Sequence, residues 1–418
     1  MNFNSLIPKN YIQREIEEKI FKFIDDKEVI AICGPRQSGK STLLKRIGSF
    51  LQEKYGKENV FFVDSEDEIE KLKFETNPKE YLKFYLRKKN KVFILLDEVQ
   101  YVKNSGKILK LLYDHYPQVK FIVSGSSSLD IGRLGQFLVG RVVFFELFPF
   151  SFSEFLKAKD ENLELEYQEK RFFIDKPKKT DSFFKDRLNK LLKEYLTYGG
   201  YPRIVLEKDE QKKILLLKNL FSTYIEKDII NLYGVKYKEK VIILLKYLTA
   251  TVGGLLNFNE LSQLTNLHFQ EIKELISIFE ETYVIKKISP FHKNLVTELK
   301  KNPKVYFFDL GFRNLLLERF DFLDDEWGKV LENYGFLLFK EKELHFWRTT
   351  AKAEVDFVLK EKDNFIPLEV KKTSKITRSL LSFINTYNPK IAIIFNLEKS
   401  DCVTRNNTKI FFVPLSLV

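Results

Sequence analysis

The sequence predicts an α/β chain whose first domain is a parallel sheet covered by helices, and three observations lead there. The first is a short β-branched run, Val29-Ile30-Ala31-Ile32-Cys33, that opens directly into Gly34-Pro35-Arg36-Gln37-Ser38-Gly39-Lys40-Ser41-Thr42. This is a complete G-x-x-x-x-G-K-[ST] loop, and Leu43, Leu44 and Ile47 continue it at helical spacing. The second is Val92-Phe93-Ile94-Leu95-Leu96, the unbroken apolar run of a buried parallel strand, which ends in Asp97-Glu98. The third is a set of further apolar runs, Val60–Val63, Phe121–Val123 and Val142–Phe145, separated by helical segments.

The loop's residue types fit phosphate binding. Gly34 and Gly39 let the backbone wrap closely, so that its N–H groups face phosphate oxygens. Lys40 reaches the β- and γ-phosphates and the Ser41 hydroxyl coordinates Mg²⁺. The helix that starts here adds the positive end of its dipole. Asp97 at the carboxyl end of its strand would hold Mg²⁺, and Glu98 could polarise an attacking water. A solvated acidic turn after the strand is the plain alternative for these two carboxylates. The two motifs in this order imply a hydrolysable nucleotide.

Before the first strand, Ile12, Ile16, Ile20, Phe23 and Ile24 recur at helical period and predict a helix over 12–25. The run at 121–123 leads into Ser124-Gly125-Ser126-Ser127-Ser128, where Ser126 could sense the γ-phosphate; a serine-rich turn reads equally well. Gly140-Arg141 precedes the next run. Arg141 could reach a neighbouring subunit's γ-phosphate, which would make the protein a homo-oligomer; a surface arginine is the alternative.

Length and composition bound the rest. The 418 residues need two to four domains. A net charge of +12 is a larger excess than nucleotide binding requires, so DNA is an expected partner. Two cysteines and four histidines leave no disulfide framework and no Cys/His zinc site. The opening residues lack a signal-peptide layout and no apolar run approaches membrane-spanning length, so a cytoplasmic protein without a membrane partner is expected.

Residues 157–190 are dense in charge, with Asp160-Glu161 and Lys176-Pro177-Lys178-Lys179, and predict an exposed loop or insertion. Gly199-Gly200-Tyr201-Pro202-Arg203 breaks two helices, and 211–250 is helical in pattern throughout. Residues 255–290 read as a winged helix-turn-helix: a helix from Phe258 to Leu264, a second from Phe269 to Glu281, then the strand-like Tyr283-Val284-Ile285-Lys286-Lys287-Ile288. The second helix carries Glu271, Glu274, Glu280 and Glu281 against Lys273 alone. Phosphate repulsion opposes such a face in a DNA groove, which favours a packing role.

The tail holds a second chemical constellation. Glu354-Val355-Asp356-Phe357-Val358-Leu359 is followed by a turn at Lys362-Asp363-Asn364 and then Phe365-Ile366-Pro367-Leu368-Glu369-Val370-Lys371. Paired strands would bring Asp356 near Glu369 and Lys371, which share a face at the strand period of two. Two carboxylates and an ammonium suit a Mg²⁺ site for phosphodiester cleavage, and Glu332 could supply a third acid. Charges alternating on a solvated hairpin would give the same string.

Taken together, these segments resemble archaeal and bacterial AAA+-like ATPases of the STAND class, which join a P-loop module to a winged helix and a restriction-endonuclease-like domain. The likeness covers residues 8–418. It rests on Gly34-Pro35-Arg36, Leu96-Asp97-Glu98-Val99-Gln100, Ser124-Gly125-Ser126-Ser127, Gly140-Arg141-Val142 and the Leu147-to-Phe155 stretch. It implies that Arg14, Glu15 and Glu17 help hold the nucleotide, with Gln13 at the family's usual glycine, and that Gly200-Tyr201-Pro202 contacts the base. The tail resembles the PD-(D/E)xK nuclease fold, with Asp356, Glu369 and Lys371 in place and no proline before Asp356. The implied layout is an ATPase core over 1–157, a helical lid with a charged insertion over 158–240, a winged helix over 241–318 and a nuclease-like domain over 319–418. The leading expectation is a DNA-associated ATPase using ATP and Mg²⁺. A nucleotide-controlled switch with a non-cleaving tail and an active ATP-dependent nuclease remain as alternatives.

Overall fold

Parallel pairing organises the apolar runs of the first half. The computed structural model describes residues 2–86, 91–126, 135–174, 176–177, 185–291, 302–322, 326–361 and 364–418. Ser127, Ser128, Lys178, Lys179, Lys362 and Asp363, singled out above, lie outside the described residues. Strands β1 (Val29–Cys33), β2 (Val60–Asp64), β3 (Val92–Asp97), β4 (Val119–Gly125) and β5 (Val142–Glu146) form one sheet in the order β2-β3-β4-β1-β5. Every pairing in it is parallel, so all five carboxyl ends share one edge. β1, β3 and β4 are buried along their whole length, as a sheet covered on both faces requires. The helix Lys40–Tyr55 turns Leu43, Leu44, Ile47 and Leu51 into a core with Ile30, Ile32, Phe93, Leu95 and Ile122. These elements belong to a compact unit of residues 1–154 with 281–283.

The second unit comprises 155–280 and 284–418. Its helices Lys238–Ala250, Phe258–Thr265 and Phe269–Glu281 precede an antiparallel pair, β6 (Ile285–Ile288) and β7 (Lys304–Phe307). The apolar stripe predicted for the last of those helices, Ile272, Leu275, Ile276 and Phe279, is buried. After the helix Trp327–Phe339, strands β8 (Leu344–Arg348), β9 (Glu354–Glu361), β10 (Asn364–Val370), β11 (Ile391–Asn396), β12 (Asp401–Arg405) and β13 (Thr408–Pro414) form a mixed sheet ordered β12-β13-β11-β10-β9-β8. One face packs Trp347, Val355 and Val358 against Leu380, Phe383 and Ile384 of the helix Arg378–Tyr387.

Several expectations need correction. The helix expected over 12–25 is only Glu17–Phe21, because Arg14 turns inward to the core rather than lying on a helix face. The charged stretch from 157 is not simply a loop: Asp160 caps a helix over Glu161–Lys170 that buries Leu163 and Tyr167. Helical pattern over 211–250 resolves into Glu210–Thr223, a π-helical turn over Tyr224–Leu232 and Lys238–Ala250, with Gly234 at φ +68° in the break. The β9–β10 hairpin is not a solvated ribbon. β10 also pairs with β11, leaving Asp356 6% and Glu369 0% exposed.

Candidate functional site

The phosphate loop leaves β1 through backbone that few side chains tolerate. A Cβ on Gly34 would lie 2.1 Å from the Leu147 carbonyl oxygen, so only glycine fits beneath the segment following β5. Gln37 has φ +62°, and Gly39, at φ +102°, caps the helix Lys40–Tyr55. Positive φ at a residue with a side chain costs free energy and concentrates at functional loops. Lys40 is 3% exposed and donates to the carbonyl oxygens of Gly34 and Pro35, each at 2.9 Å. The Ser38 hydroxyl is fully buried and finds no hydrogen-bond partner among the described residues, which suits an oxygen-rich ligand. Arg36 donates to the Tyr101 hydroxyl at 3.3 Å.

Asp97 arrives beside this loop at the end of β3. Burial raises its pKa, opposed by hydroxyl hydrogen bonds from Ser124 and Ser41. A carboxylate disfavoured by burial and bonded to the Ser41 hydroxyl is chemically suited to Mg²⁺: the donor set of Ser41 and Asp97 fits a cation shared with phosphate oxygens. Glu98 follows at φ +52°. Its carboxylate accepts from the Gln100 amide, which also donates to the Ser126 hydroxyl at 3.0 Å. Gln100 therefore links the candidate water-polarising group to the candidate sensor, a role sequence reading missed because amide orientation has no sequence signal.

Arg14 is placed differently from the expectation. It is 5% exposed and forms a bidentate pair with Glu154, at 2.9 and 3.1 Å. It also donates to the carbonyl oxygens of Phe148 at 2.7 Å and Ser38 at 2.9 Å. Arg14 thus positions the loop through its backbone, with its guanidinium already committed to protein acceptors. Glu17 accepts from the Tyr11 hydroxyl at 2.6 Å and the Arg14 amide at 2.7 Å, and Glu15 meets Glu154 through its amide at 2.8 Å. Glu154 anchors this knot, accepting from the Arg14 guanidinium and the Glu15 amide.

Arg141 lies at the opposite edge. It immediately precedes β5, whose Val142 pairs with Val29 at the start of β1, and its guanidinium sits 3.5 Å from Asp114. Five residues of strand span roughly 16 Å. In its own chain Arg141 is not part of the phosphate site, and only contact across a subunit boundary would bring it to a nucleotide. In the second unit, Gly200 donates its amide to Asp309 at 2.7 Å, and Pro202 begins the short helix Pro202–Leu206. The turn proposed to contact the base is thereby held by an acid that sequence reading did not select.

The tail residues do come together. Asp356 on β9 accepts from Lys371 at 2.9 Å and from the Val370 amide at 2.8 Å. Glu369 accepts from the Thr377 hydroxyl at 2.6 Å, while its second oxygen is buried without a partner among the described residues. Burial raises the Glu369 pKa to about 7, and Asp356 adds to the rise. Glu332 is engaged elsewhere: it accepts from Tyr306 at 2.6 Å and Lys304 at 3.1 Å. No group of three His, Cys, Asp or Glu side chains among the described residues is arranged to hold a metal. As arranged, the tail set does not fit a three-carboxylate metal site. Glu332 is expected as its third acid, and its carboxylate is instead spent on protein donors.

Comparison with known proteins agrees with the first unit and is silent on the chemistry of the second. Residues 26–156 match a family model described as an AAA domain, while 189–322 and 329–418 match two domains of unknown function, DUF8612 and DUF4143. An uncharacterised protein of Haemophilus influenzae is 26% identical, over 87% of this chain and 86% of its own. A second, MJ1544 of Methanocaldococcus jannaschii, is 27% identical over 83% and 75%. Domain III of the Thermotoga maritima replication initiation protein DnaA aligns at 16% identity and a TM-score of 0.33, covering 51% of this chain and 95% of that one; a score of that size carries no inference. No helix among the described residues is long and apolar enough to cross a membrane. The parallel five-stranded sheet, the loop geometry and the AAA-domain match together make residues 26–156 a P-loop NTPase core of AAA type.

Proposed function

We propose that this protein binds and hydrolyses ATP at the carboxyl edge of its parallel sheet, associates with DNA, and couples nucleotide state to winged-helix and nuclease-like segments of the second unit. The observation that carries the proposal is the meeting of three strand ends. β1 supplies the phosphate loop, β3 supplies Asp97 and Glu98, and β4 supplies Ser124, which is hydrogen-bonded to Asp97. Lys40 exchanges its two carbonyl partners for β- and γ-phosphate oxygens, which are stronger acceptors because they are charged. Ser41 and Asp97 hold Mg²⁺, which neutralises phosphate charge when bound. Glu98 orients and polarises the attacking water, with Gln100 fixing its carboxylate and Ser126 close enough to sense the change.

The net charge of +12 supports DNA as partner. The helix–helix–strand order around Phe258–Ile288 supports the winged-helix reading, and the acidic face of Phe269–Glu281 supports packing rather than base reading. A second reading, a tail that binds without cleaving, is favoured by one observation: ammonium groups already occupy Glu332 and Asp356. The deciding experiment measures ATP turnover of the full chain alone and with single-stranded, duplex and branched DNA at two salt concentrations. Stimulation that weakens with salt supports the proposal. Turnover indifferent to every DNA removes DNA association, and no turnover at all removes the ATPase.

A further inference from the structure

The least expected side chain in the second unit is Lys304, the first residue of β7. It is 1% exposed, and its ammonium lies 2.6 Å from Glu354 on β9 and 3.1 Å from Glu332 on the helix Trp327–Phe339. The Phe346 ring centroid is 5.4 Å away, and the Asp356 charge acts on the same ammonium. Glu332 is fixed from two further sides: the Tyr306 hydroxyl donates to it, and its carboxylate packs where a Cβ on Gly253 would stand, 2.8 Å away.

Burying an ammonium costs several kcal/mol unless carboxylates meet it with good geometry. Here two carboxylates do so, and both come from the tail, whereas Lys304 comes from the segment matched by the preceding domain model. Three cations (Lys304, Arg348 and Lys371) face four acids (Glu332, Glu354, Asp356 and Glu369). Most of the compensation a divalent ion would bring is thus already present. One acceptor stands outside this balance, the buried second oxygen of Glu369, which has no donor among the described residues.

We propose that Lys304 is a built-in counter-cation that keeps the tail's acid cluster closed to a divalent metal, so that metal enters only when β7 releases Glu332 and Glu354. The inference rests on the nuclease-like reading of the tail and adds to it a lock carried by the neighbouring segment. Ammonium and metal compete for the same carboxylates: with Lys304 in place three cations face four acids, and without it only two do, so the excess of negative charge draws in a cation.

The test is Mn²⁺ binding to the nucleotide-free full chain, followed by the electron paramagnetic resonance of free Mn²⁺ and by thermal unfolding with and without the ion. Lys304→Met keeps length and removes charge. It is expected to bind one Mn²⁺ at least tenfold more tightly than the unmodified protein and to gain more in Tm on adding the ion; Asp356→Ala in the same chain should abolish both. If Lys304→Met does not fold, Lys304→Gln keeps a polar donor for Glu332 and Glu354 without the charge, and should also tighten Mn²⁺ binding. Equal, Asp356-dependent affinity in the unmodified protein and in the folded variant overturns the lock while leaving the nuclease-like reading standing. No Asp356-dependent binding in any variant overturns both.

Discussion

The two charged clusters of this protein are built in opposite ways. At the phosphate edge the backbone is unusual, with Gln37 and Glu98 at positive φ, and Lys40 donates to two neutral carbonyl oxygens. In the tail the backbone is regular sheet and the charges are tightly held, with Lys304 between two carboxylates and Lys371 on Asp356. An ammonium on carbonyls passes readily to a polyphosphate, because a charged acceptor binds it more strongly. An ammonium between carboxylates leaves only if something equally positive replaces it. The first site suits an anion, and in the second three cations of the protein itself already face four acids.

Substitutions at the phosphate edge should have the largest effects. Lys40→Ala is expected to abolish ATP hydrolysis and weaken nucleotide binding by about a hundredfold or more, read by phosphate release and fluorescent-nucleotide titration. Near-normal turnover would erase the contrast at its origin. Arg14→Ala breaks a buried ion pair and leaves Glu154 uncompensated. A loss of about 3–5 kcal/mol in unfolding free energy by urea titration is expected. A loss below about 1 kcal/mol would mean that the loop does not depend on this knot.

Smaller effects sharpen the picture. Glu98→Gln should bind ATP normally and hydrolyse it about a hundredfold more slowly, close to 2.7 kcal/mol in barrier; an unchanged rate would reduce Glu98 to a strand-end carboxylate. Asp309 offers a pH readout in the second unit, since burial raises its pKa to about 6. Its folded pKa exceeds the ordinary carboxylate value, so the folded state holds the proton more tightly. This contribution to stability is fully present below about pH 4 and lost as pH rises through about 6, with a slope of at most about 1.4 kcal/mol per pH unit. Asp309→Asn should remove that slope in denaturation between pH 4.5 and 7.5; an identical profile would place the titration elsewhere. Arg141→Ala, an exposed pair partner, should change stability by less than about 1 kcal/mol and leave turnover of the monomeric chain unaltered. A turnover defect confined to concentrations where subunits associate would instead give Arg141 a role across a boundary.

The phosphate edge was legible in the amino-acid sequence because its chemistry is contiguous. Gly34 to Thr42 carry their own turn geometry, and Asp97 needs only the apolar strand before it to reach the same edge. Asp356, Glu369 and Lys371 were legible for a related reason, since a strand period of two aligns Glu369 with Lys371 and a short hairpin brings Asp356 alongside. Tertiary structure alone decided the partners of the buried charges. Arg14 meets Glu154 across 140 residues, and Glu332 turns from a candidate metal ligand into the acceptor for Lys304 and Tyr306. Which edge of the sheet Arg141 occupies also waited on the pairing of β5 with β1. Backbone geometry within a loop is written in neighbouring residues, whereas a buried ion pair between distant elements has no period or spacing. It exists only once packing has brought both charges out of water.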